Sequence, residues 1–181
     1  MNVTEELLAS VRLLLDRQAI SDCVTRYCRA VDRFDRDLLR TVYHEDATDD
    51  HGAFCGGREA FIDWAFAYHN EYQISHHHII TNHTAEIQGD TAHAETYWLF
   101  FGENRTKPDT VAVGRYVDRF EKRDGHWAIA ARVCVTESIN GLTPAEIPEV
   151  FRQLQMGNAT SARSKDDVSW MRPLNVRRQP V

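Results

Sequence analysis

The hydrophobic pattern changes its period near the middle of the chain, and this change limits the fold more than any other feature. Within residues 4–34, apolar positions recur at helical spacing and occupy one narrow arc that should face a core; they are Ile20, Val24, Tyr27 and Val31. From His77 onward, apolar and polar residues alternate as they do in strands. The alternation predicts four long strands, near 77–88, 91–103, 111–123 and 126–138.

Short turn sequences join these strands. Gly89-Asp90 and Asp124-Gly125 each separate two of them, and Asp-Gly suits the left-handed backbone angles of a tight hairpin turn. A polar loop at 104–109 makes the third connection. The resulting meander, preceded by helices, predicts an α+β fold: a curved antiparallel sheet, or cone-shaped α+β barrel, with the N-terminal helices packed over its concave face.

Two further helices and one short strand precede the meander. Asp35 can cap a short second helix, and a third helix is expected over about 58–68 after the Gly56-Gly57 break. A short strand is expected at 47–51. The 181 residues suit one pocket domain, 1–140, followed by a C-terminal extension, 141–181, that contains Pro144 and Pro148. Trp170 is expected to anchor this extension.

Composition excludes several classes of protein. A net charge of -6 without a basic stripe argues against nucleic acid, and no apolar run is long enough to span a membrane. The beginning of the chain does not resemble a secretory signal, so a cytoplasmic location is expected. The cysteines lie mostly in apolar segments and lack metal-site spacing, which indicates buried thiols; they are Cys23, Cys28, Cys55 and Cys134.

The last strand shows two different faces. Small residues surround Arg132 on one face and leave room for a cavity, whereas Trp127, Ile129 and Val133 lie on the other. Because few helices are available to cover the second face, we expect a homotrimer or a homodimer to cover it.

Four short motifs resemble one family. They are YCRAVDR at 27–33, HIITN at 78–82, GRYVDRF at 114–120 and DGHW at 124–127, followed by Arg132. In this order and spacing they resemble the SnoaL-like branch of the nuclear-transport-factor-two-like superfamily, over about residues 10–140. Within that branch, the resemblance is to the group of scytalone dehydratase, bile-acid 7α-dehydratase and hexachlorocyclohexane dehydrochlorinase.

The resemblance implies a site. Members of the group use an Asp–His pair and need neither metal nor organic cofactor; the matching positions here are Asp32 and His78, with Arg132 and Tyr27 as further site residues. The chain departs from the dehydrochlorinase, which has a tryptophan and a cysteine near the positions of Asp49 and His76. The second catalytic histidine of scytalone dehydratase is also unmatched, and Glu103 lies nearest to it by spacing.

These residue types suit acid–base chemistry. A neutral imidazole at His78 can remove a proton next to a carbonyl, Asp32 can hold and orient the ring, and Arg132 or Tyr27 can stabilise the oxyanion. The sequence therefore predicts a cofactor-independent lyase, such as a dehydratase, or an isomerase. Its substrate would be a hydrophobic cyclic carbonyl compound of steroid or aromatic type. The alternative is a non-catalytic pocket protein or accessory subunit of the same fold.

Structural explanations remain open for each residue. Asp32 can lie on a solvated helix edge, His78 can be a structural strand histidine, and Arg132 can pair with Glu95 or Asp118. His76 and His78 share one strand face, as two metal ligands would, so a metal site is a further alternative. Several aromatic residues are candidates for lining a pocket: Phe54, Trp64, Tyr97, Trp98 and Phe100.

Overall fold

A computed structural model describes residues 3–156 and 159–175. The first helix, α1 (Val3–Asp32), is largely exposed over its first half and buried over its second. The apolar arc predicted from the sequence, from Ile20 to Val31, is buried in the core. The last turn of α1 therefore lies inside the molecule, and it carries Asp32 with it.

Two shorter helices follow α1. Helix α2 (Arg36–Arg40) begins as predicted at Asp35, whose side chain accepts a hydrogen bond of 3.1 Å from the backbone N–H of Leu38. Helix α3 (Arg58–Tyr72) begins after Gly57 and runs four residues beyond the predicted end. It buries four residues against the sheet: Phe61, Ile62, Ala65 and His69.

Six strands form one mixed sheet in the order β2-β1-β6-β5-β4-β3. Their bounds are β1 (Tyr43–Asp50), β2 (Cys55–Gly57), β3 (Gln73–Gln88), β4 (Thr91–Asn104), β5 (Asp109–Arg123) and β6 (His126–Leu142). All neighbouring strands are antiparallel except β1 and β6, which are parallel. The four long strands confirm the predicted meander, whereas β2 was not predicted because three glycine-rich residues carry no alternation.

The sheet curves around the core, and the N-terminal helices lie against it. Register shifts interrupt β3, β5 and β6, and such bulges bend a sheet and increase its twist. At Gly114 a side chain has no room, because a Cβ atom there would lie 2.6 Å from Cζ2 of Trp98 and would also clash with the carbonyl oxygen of Val135. The architecture is the predicted α+β fold with a curved open sheet.

One of these irregularities overturns the predicted outer face of β6. Phe120 pairs with Ile129 and Arg119 with Ala131, so Ala130 is an extra residue on β6. Because the extra residue changes which side chains point inward, Trp127 and Ile129 are buried within a single chain. Of the three residues expected to need a partner subunit, only Val133 is exposed. That part of the prediction is wrong.

The C-terminal extension folds back onto the helices. It contains helix α4 (Glu149–Met156) and a 3₁₀ turn at Val168–Trp170. The guanidinium of Arg163 lies over the ring of Phe34 and donates hydrogen bonds to the carbonyl oxygens of His69 and Gln73. The extension thus contacts the end of α1 and the junction between α3 and β3.

Two sequence-based expectations concern surface and environment. Cys55 is exposed, contrary to the expectation that the thiols are buried, because it lies on the short edge strand β2.

Across residues 3–156 and 159–175, no helix combines the length and the apolar composition that crossing a membrane requires.

Candidate active site

A cavity of about 340 Å³ lies between the helices and the curved sheet. Aromatic side chains form much of its wall: Phe61, Trp64, Tyr68, Trp98, Phe100 and Tyr116. Among the predicted lining residues, Trp64, Trp98 and Phe100 are confirmed, whereas Phe54 packs on Trp64 outside the wall. Tyr97 points outward and is exposed. An apolar wall of this kind suits a hydrophobic small molecule.

Asp32 and His78 form a hydrogen-bonded pair at one wall of this cavity. The Nδ1 atom of His78 lies 2.7 Å from Oδ1 of Asp32, and the backbone N–H of His78 donates to Oδ2 at 3.0 Å. Asp32 is the last residue of α1, and His78 lies on β3, so the pair joins a helix end to a strand. His78 lines the cavity, and Asp32 lies behind it.

The hydrogen bonds of this pair determine the tautomer of His78. A carboxylate only accepts hydrogen bonds, so Nδ1 of His78 carries the proton and Nε2 carries the lone pair. Within the described part of the chain, Nε2 has no hydrogen-bond partner. The ring therefore presents a basic nitrogen, and its other nitrogen is held by Asp32.

Two further histidines pack beside the pair. The rings of His69 and His76 stack with their centroids 4.0 Å apart, and Nε2 of His76 lies 3.2 Å from the carbonyl oxygen of Val31. Burial lowers the pKa of His69 to about 3 and that of His76 to about 2, because the cation would lose its hydration. Both rings are therefore neutral near pH 7, and they add no positive charge beside His78.

The same cluster bears on the metal alternative. Ligand atoms of Asp32, His76 and His78 lie within 4.8 Å of one another. However, Nε2 of His76 donates its proton to the carbonyl oxygen of Val31, and Nδ1 of His78 donates to Asp32. These two nitrogens are thus protonated donors, and a metal ion bound through either of them would have to displace its proton.

Tyr27 reaches the cavity from α1. Its hydroxyl group lies 3.3 Å from Nε2 of His51, and its ring contacts that of His78 edge-on, with the centroids 6.3 Å apart. Burial raises the pKa of the Tyr27 hydroxyl well above its usual range, because the phenolate would be poorly solvated. Tyr27 is accordingly a hydrogen-bond donor at the cavity wall and not a base.

Arg132 occupies a different place from the other predicted site residues. Its Nε and Nη2 atoms each donate a hydrogen bond of 2.7 Å to the carboxylate of Asp118, its cross-strand neighbour on β5. The guanidinium lies between the rings of Tyr27 and Tyr116, 4.2 Å and 4.0 Å from their centroids. It does not line the cavity described above. Its partner is Asp118, whereas Glu95 pairs with Arg115.

A second Asp–His pair lies at the end of β1. Oδ1 of Asp49 accepts a hydrogen bond from Nδ1 of His51, and Oδ2 accepts one of 2.6 Å from the hydroxyl group of Tyr43. Asp49 is buried, and His51 lines the cavity. Sequence reasoning did not identify this pair, although two polar residues at alternating spacing in the predicted short strand at 47–51 were a visible signal. Glu103, the residue nearest by spacing to the second catalytic histidine of scytalone dehydratase, accepts a hydrogen bond from Ser75 outside the cavity wall.

The fold and the pocket define a class: α+β proteins whose curved sheet and N-terminal helices enclose an apolar cavity. The sequence pattern of the SnoaL-like domain matches residues 12–133. The chain belongs to the SnoaL-like domain family. No curated protein matches it in sequence.

Solved structures share this fold. The hexachlorocyclohexane dehydrochlorinase LinA type 2 has a TM-score of 0.71 and 20% identity, over 77% of this chain and 97% of that one. A scytalone dehydratase-like protein from Novosphingobium aromaticivorans has a TM-score of 0.67 and 19% identity, over 75% and 93%. A protein from the same organism named as an aromatic ring hydroxylase has a TM-score of 0.64 and 25% identity, over 71% and 94%. Lyase-type enzymes are therefore among the proteins with this fold.

Proposed function

We propose that this protein is a cofactor-independent lyase or isomerase that acts on a hydrophobic cyclic carbonyl compound of steroid or aromatic type. The observation that carries the proposal is the pair of Asp32 and His78 at the wall of an aromatic cavity, in which no residue that the structure describes bonds Nε2 of His78. Because Asp32 accepts the Nδ1 proton, the lone pair on Nε2 of His78 is available at the cavity wall.

The chemistry begins with proton removal. Nε2 of His78 takes a proton from the carbon next to the substrate carbonyl, and Asp32 offsets the charge that the imidazole gains. The hydroxyl group of Tyr27 donates its one hydrogen bond to the oxygen on which negative charge develops. In isomerisation that oxygen is the enolate oxygen, and in elimination it is the departing oxygen. From the enolate, loss of a group at the neighbouring carbon gives elimination, and return of the proton to another carbon gives isomerisation.

Arg132 contributes indirectly in this scheme. Its guanidinium packs on the face of the Tyr27 ring and is held there by Asp118. A cation over an aromatic face is attracted to the ring and makes the ring's substituents more acidic. We therefore assign Arg132 a positioning role behind Tyr27, in place of the direct oxyanion contact expected from the sequence.

Non-catalytic binding is the alternative function. The cavity alone would suit an apolar ligand, and the neighbour named as an aromatic ring hydroxylase carries a different activity in its name, so the fold does not select one reaction. A binder has no need for an oriented base, however, and the hydrogen bond from His78 to the buried carboxylate of Asp32 favours the catalytic proposal. If the protein only binds a ligand, His78→Ala should keep the wild-type affinity for that ligand. Neither the wild type nor the variant should then turn it over.

The substrate class can be tested by hydrogen exchange. The protein is incubated in D₂O with a panel of cyclic ketones and β-hydroxy ketones, and deuterium uptake next to the carbonyl is followed by mass spectrometry together with enone absorbance. We expect uptake or enone formation with the wild type and with His77→Ala, and loss with His78→Ala. His77 is the matched control because it precedes His78 on β3 and is exposed on the opposite face. Equal uptake in all three proteins would contradict the proposal.

We also propose that the protein is a homotrimer or a homodimer. Apolar side chains remain exposed on the outer face of the sheet, including Ile79 on β3, Val113 on β5 and Val133 on β6. Contact with a second copy would remove them from water. Sedimentation equilibrium at micromolar concentration tests this, and a mass equal to that of a single chain would contradict it.

A further inference from the structure

The second Asp–His pair is built as firmly as the first. Asp49 is almost fully buried, and both of its carboxylate oxygens are occupied, one by Tyr43 and one by His51. The ring of His51 stacks on that of Phe61 with their centroids 4.9 Å apart, and it also contacts Trp64. These contacts hold the imidazole in a single orientation.

This orientation directs one ring nitrogen to the cavity. Nδ1 of His51 donates to Asp49, so Nε2 is the atom that faces the hydroxyl group of Tyr27, 3.3 Å away. His51 and His78 both line the same cavity, and Tyr27 contacts both rings. The cavity therefore has two oriented imidazoles, one on β3 and one at the end of β1, with a phenol between them.

We propose that Asp49 and His51 form a second proton-transfer pair, which supplies a proton through the Tyr27 hydroxyl to the leaving group while His78 removes one from carbon. The inference rests on the proposed function and deepens it, because it selects substrates whose leaving group needs protonation, such as β-hydroxy ketones. In this scheme Asp49 is a positioning residue, and His51 acts through Tyr27.

Each proton that moves in this relay has a donor and an acceptor. Nε2 of His78 takes the proton of the C–H bond next to the carbonyl, and that electron pair becomes the new C=C bond as the β-carbon releases its hydroxyl oxygen. The leaving oxygen takes the proton of the Tyr27 hydroxyl and departs as water. The Tyr27 oxygen takes the Nε2 proton of protonated His51. His78 ends protonated and His51 neutral, and exchange with solvent restores both.

The relay explains why the hydroxyl group of Tyr27 has an imidazole as its partner. Burial raises the pKa of Tyr27 well above its usual range, so an isolated phenolate at this position would be unfavourable. Proton transfer from His51 in the same step avoids a free phenolate, as general acid catalysis requires. Other ionisable groups also lie near His51: Asp49 from β1, Tyr116 from β5 and His69 from α3.

Two probe reactions separate the two pairs. Ring opening of 5-nitrobenzisoxazole needs a base to remove a proton, but its phenolate leaving group needs little protonation. Dehydration of 4-hydroxy-4-phenylbutan-2-one needs both a base and an acid. For His51→Gln, we expect the dehydration rate to fall relative to the wild type by a factor about 100 times larger than that for the ring-opening rate. The acetate ester of the same ketol, which has a better leaving group, should recover most of the loss. His93→Gln, an exposed histidine on β4, is the matched control.

The outcomes distinguish the inference from the proposed function. Equal loss on both probes in His51→Gln, or no loss on either, overturns the second pair while His78-dependent ring opening still supports the first. Ring opening that is equally fast in the wild type and in His78→Ala contradicts the proposed function, and the inference with it. Long-range ¹H–¹⁵N spectra add a readout without turnover: the neutral form of His51 should carry its proton on Nδ1. A neutral His51 that is protonated on Nε2 instead would overturn the relay.

Discussion

Nδ1 of His78 lies 2.7 Å from Oδ1 of Asp32, although the two residues are 46 positions apart in the chain. The helix that ends at Asp32 and the strand that carries His78 meet only because α1 packs against the curved sheet. The backbone N–H of His78 donates to the same carboxylate, so the side chain of Asp32 is held by β3 at two points. Orientation of the imidazole is thus a consequence of helix-on-sheet packing.

The first prediction concerns this pair. With any substrate found by the exchange panel, His78→Ala should lower kcat by at least about 100-fold, because the base is removed. Asp32→Asn should lower kcat by a smaller factor, on the order of 10-fold to 100-fold, since the imidazole remains but loses its orienting acceptor. Steady-state kinetics measure both effects, with circular dichroism to verify folding. Wild-type kcat in a folded His78→Ala protein would exclude the mechanism.

The second prediction concerns Arg132 and Asp118, both fully buried. Arg132→Ala leaves a buried carboxylate without its partner, so the free energy of unfolding should fall by about 3 to 5 kcal/mol. The double variant Arg132→Met, Asp118→Leu should lose less, because neither charge remains in the interior. Urea unfolding measures the difference.

The neighbouring arginine on β5 provides the control for this series. Arg115 pairs with Glu95 and Glu137 near the surface, and Arg115→Ala should change stability by no more than about 1 kcal/mol. If Arg132→Ala lowered the free energy of unfolding by no more than Arg115→Ala does, the buried ion pair would not be required for stability.

The third prediction concerns stability against pH. The pKa values of His69 and His76 are lowered in the folded protein, to about 3 and about 2, whereas unfolded histidine titrates near 6.5. Below about pH 6.5 the unfolded chain therefore binds protons that the folded chain does not, and stability falls as pH falls. Each histidine should contribute a loss of about 1 to 2 kcal/mol between pH 7 and pH 5.

Variants test this linkage directly. Urea unfolding at pH 7 and pH 5 should show a weaker pH dependence in His76→Gln than in the wild type, whatever the absolute stability of the variant. His93→Gln, which removes an exposed histidine, should keep the wild-type pH dependence. An identical pH dependence in His76→Gln and wild type would show that His76 titrates normally in the folded protein.

The fourth prediction concerns metal ions. Because Nε2 of His76 donates to Val31 and Nδ1 of His78 donates to Asp32, turnover should not depend on a bound metal. Dialysis against a chelator should leave kcat unchanged, and added zinc should inhibit by competing for the lone pair on His78. Activity that is lost on chelation and restored by one metal would establish the metal alternative instead.

Much of the architecture was predictable from local sequence. The helical arc from Ile20 to Val31, the cap at Asp35 and the turn at Asp124-Gly125 depend on spacing and on turn chemistry, which are local properties. Asp124 and Gly125 have φ angles of 51° and 77°, as a tight hairpin turn requires. Pairing of Asp32 with His78 was expected through family resemblance, since no local rule brings residues on a helix and a strand together.

Other features of the fold and of the site depend on contacts between elements, which only the tertiary structure shows. The extra residue at Ala130 turned Trp127 and Ile129 inward, and alternation along the strand does not reveal a bulge that depends on pairing with β5. Cross-strand register places Arg132 beside Asp118, and the two form an ion pair. Arg132 therefore bonds Asp118 and does not line the cavity. His51 lines the same cavity as His78 because β1 pairs with β6, and these two strands are far apart in sequence. Periodicity identifies the elements, whereas packing between them determines which side chains share a site.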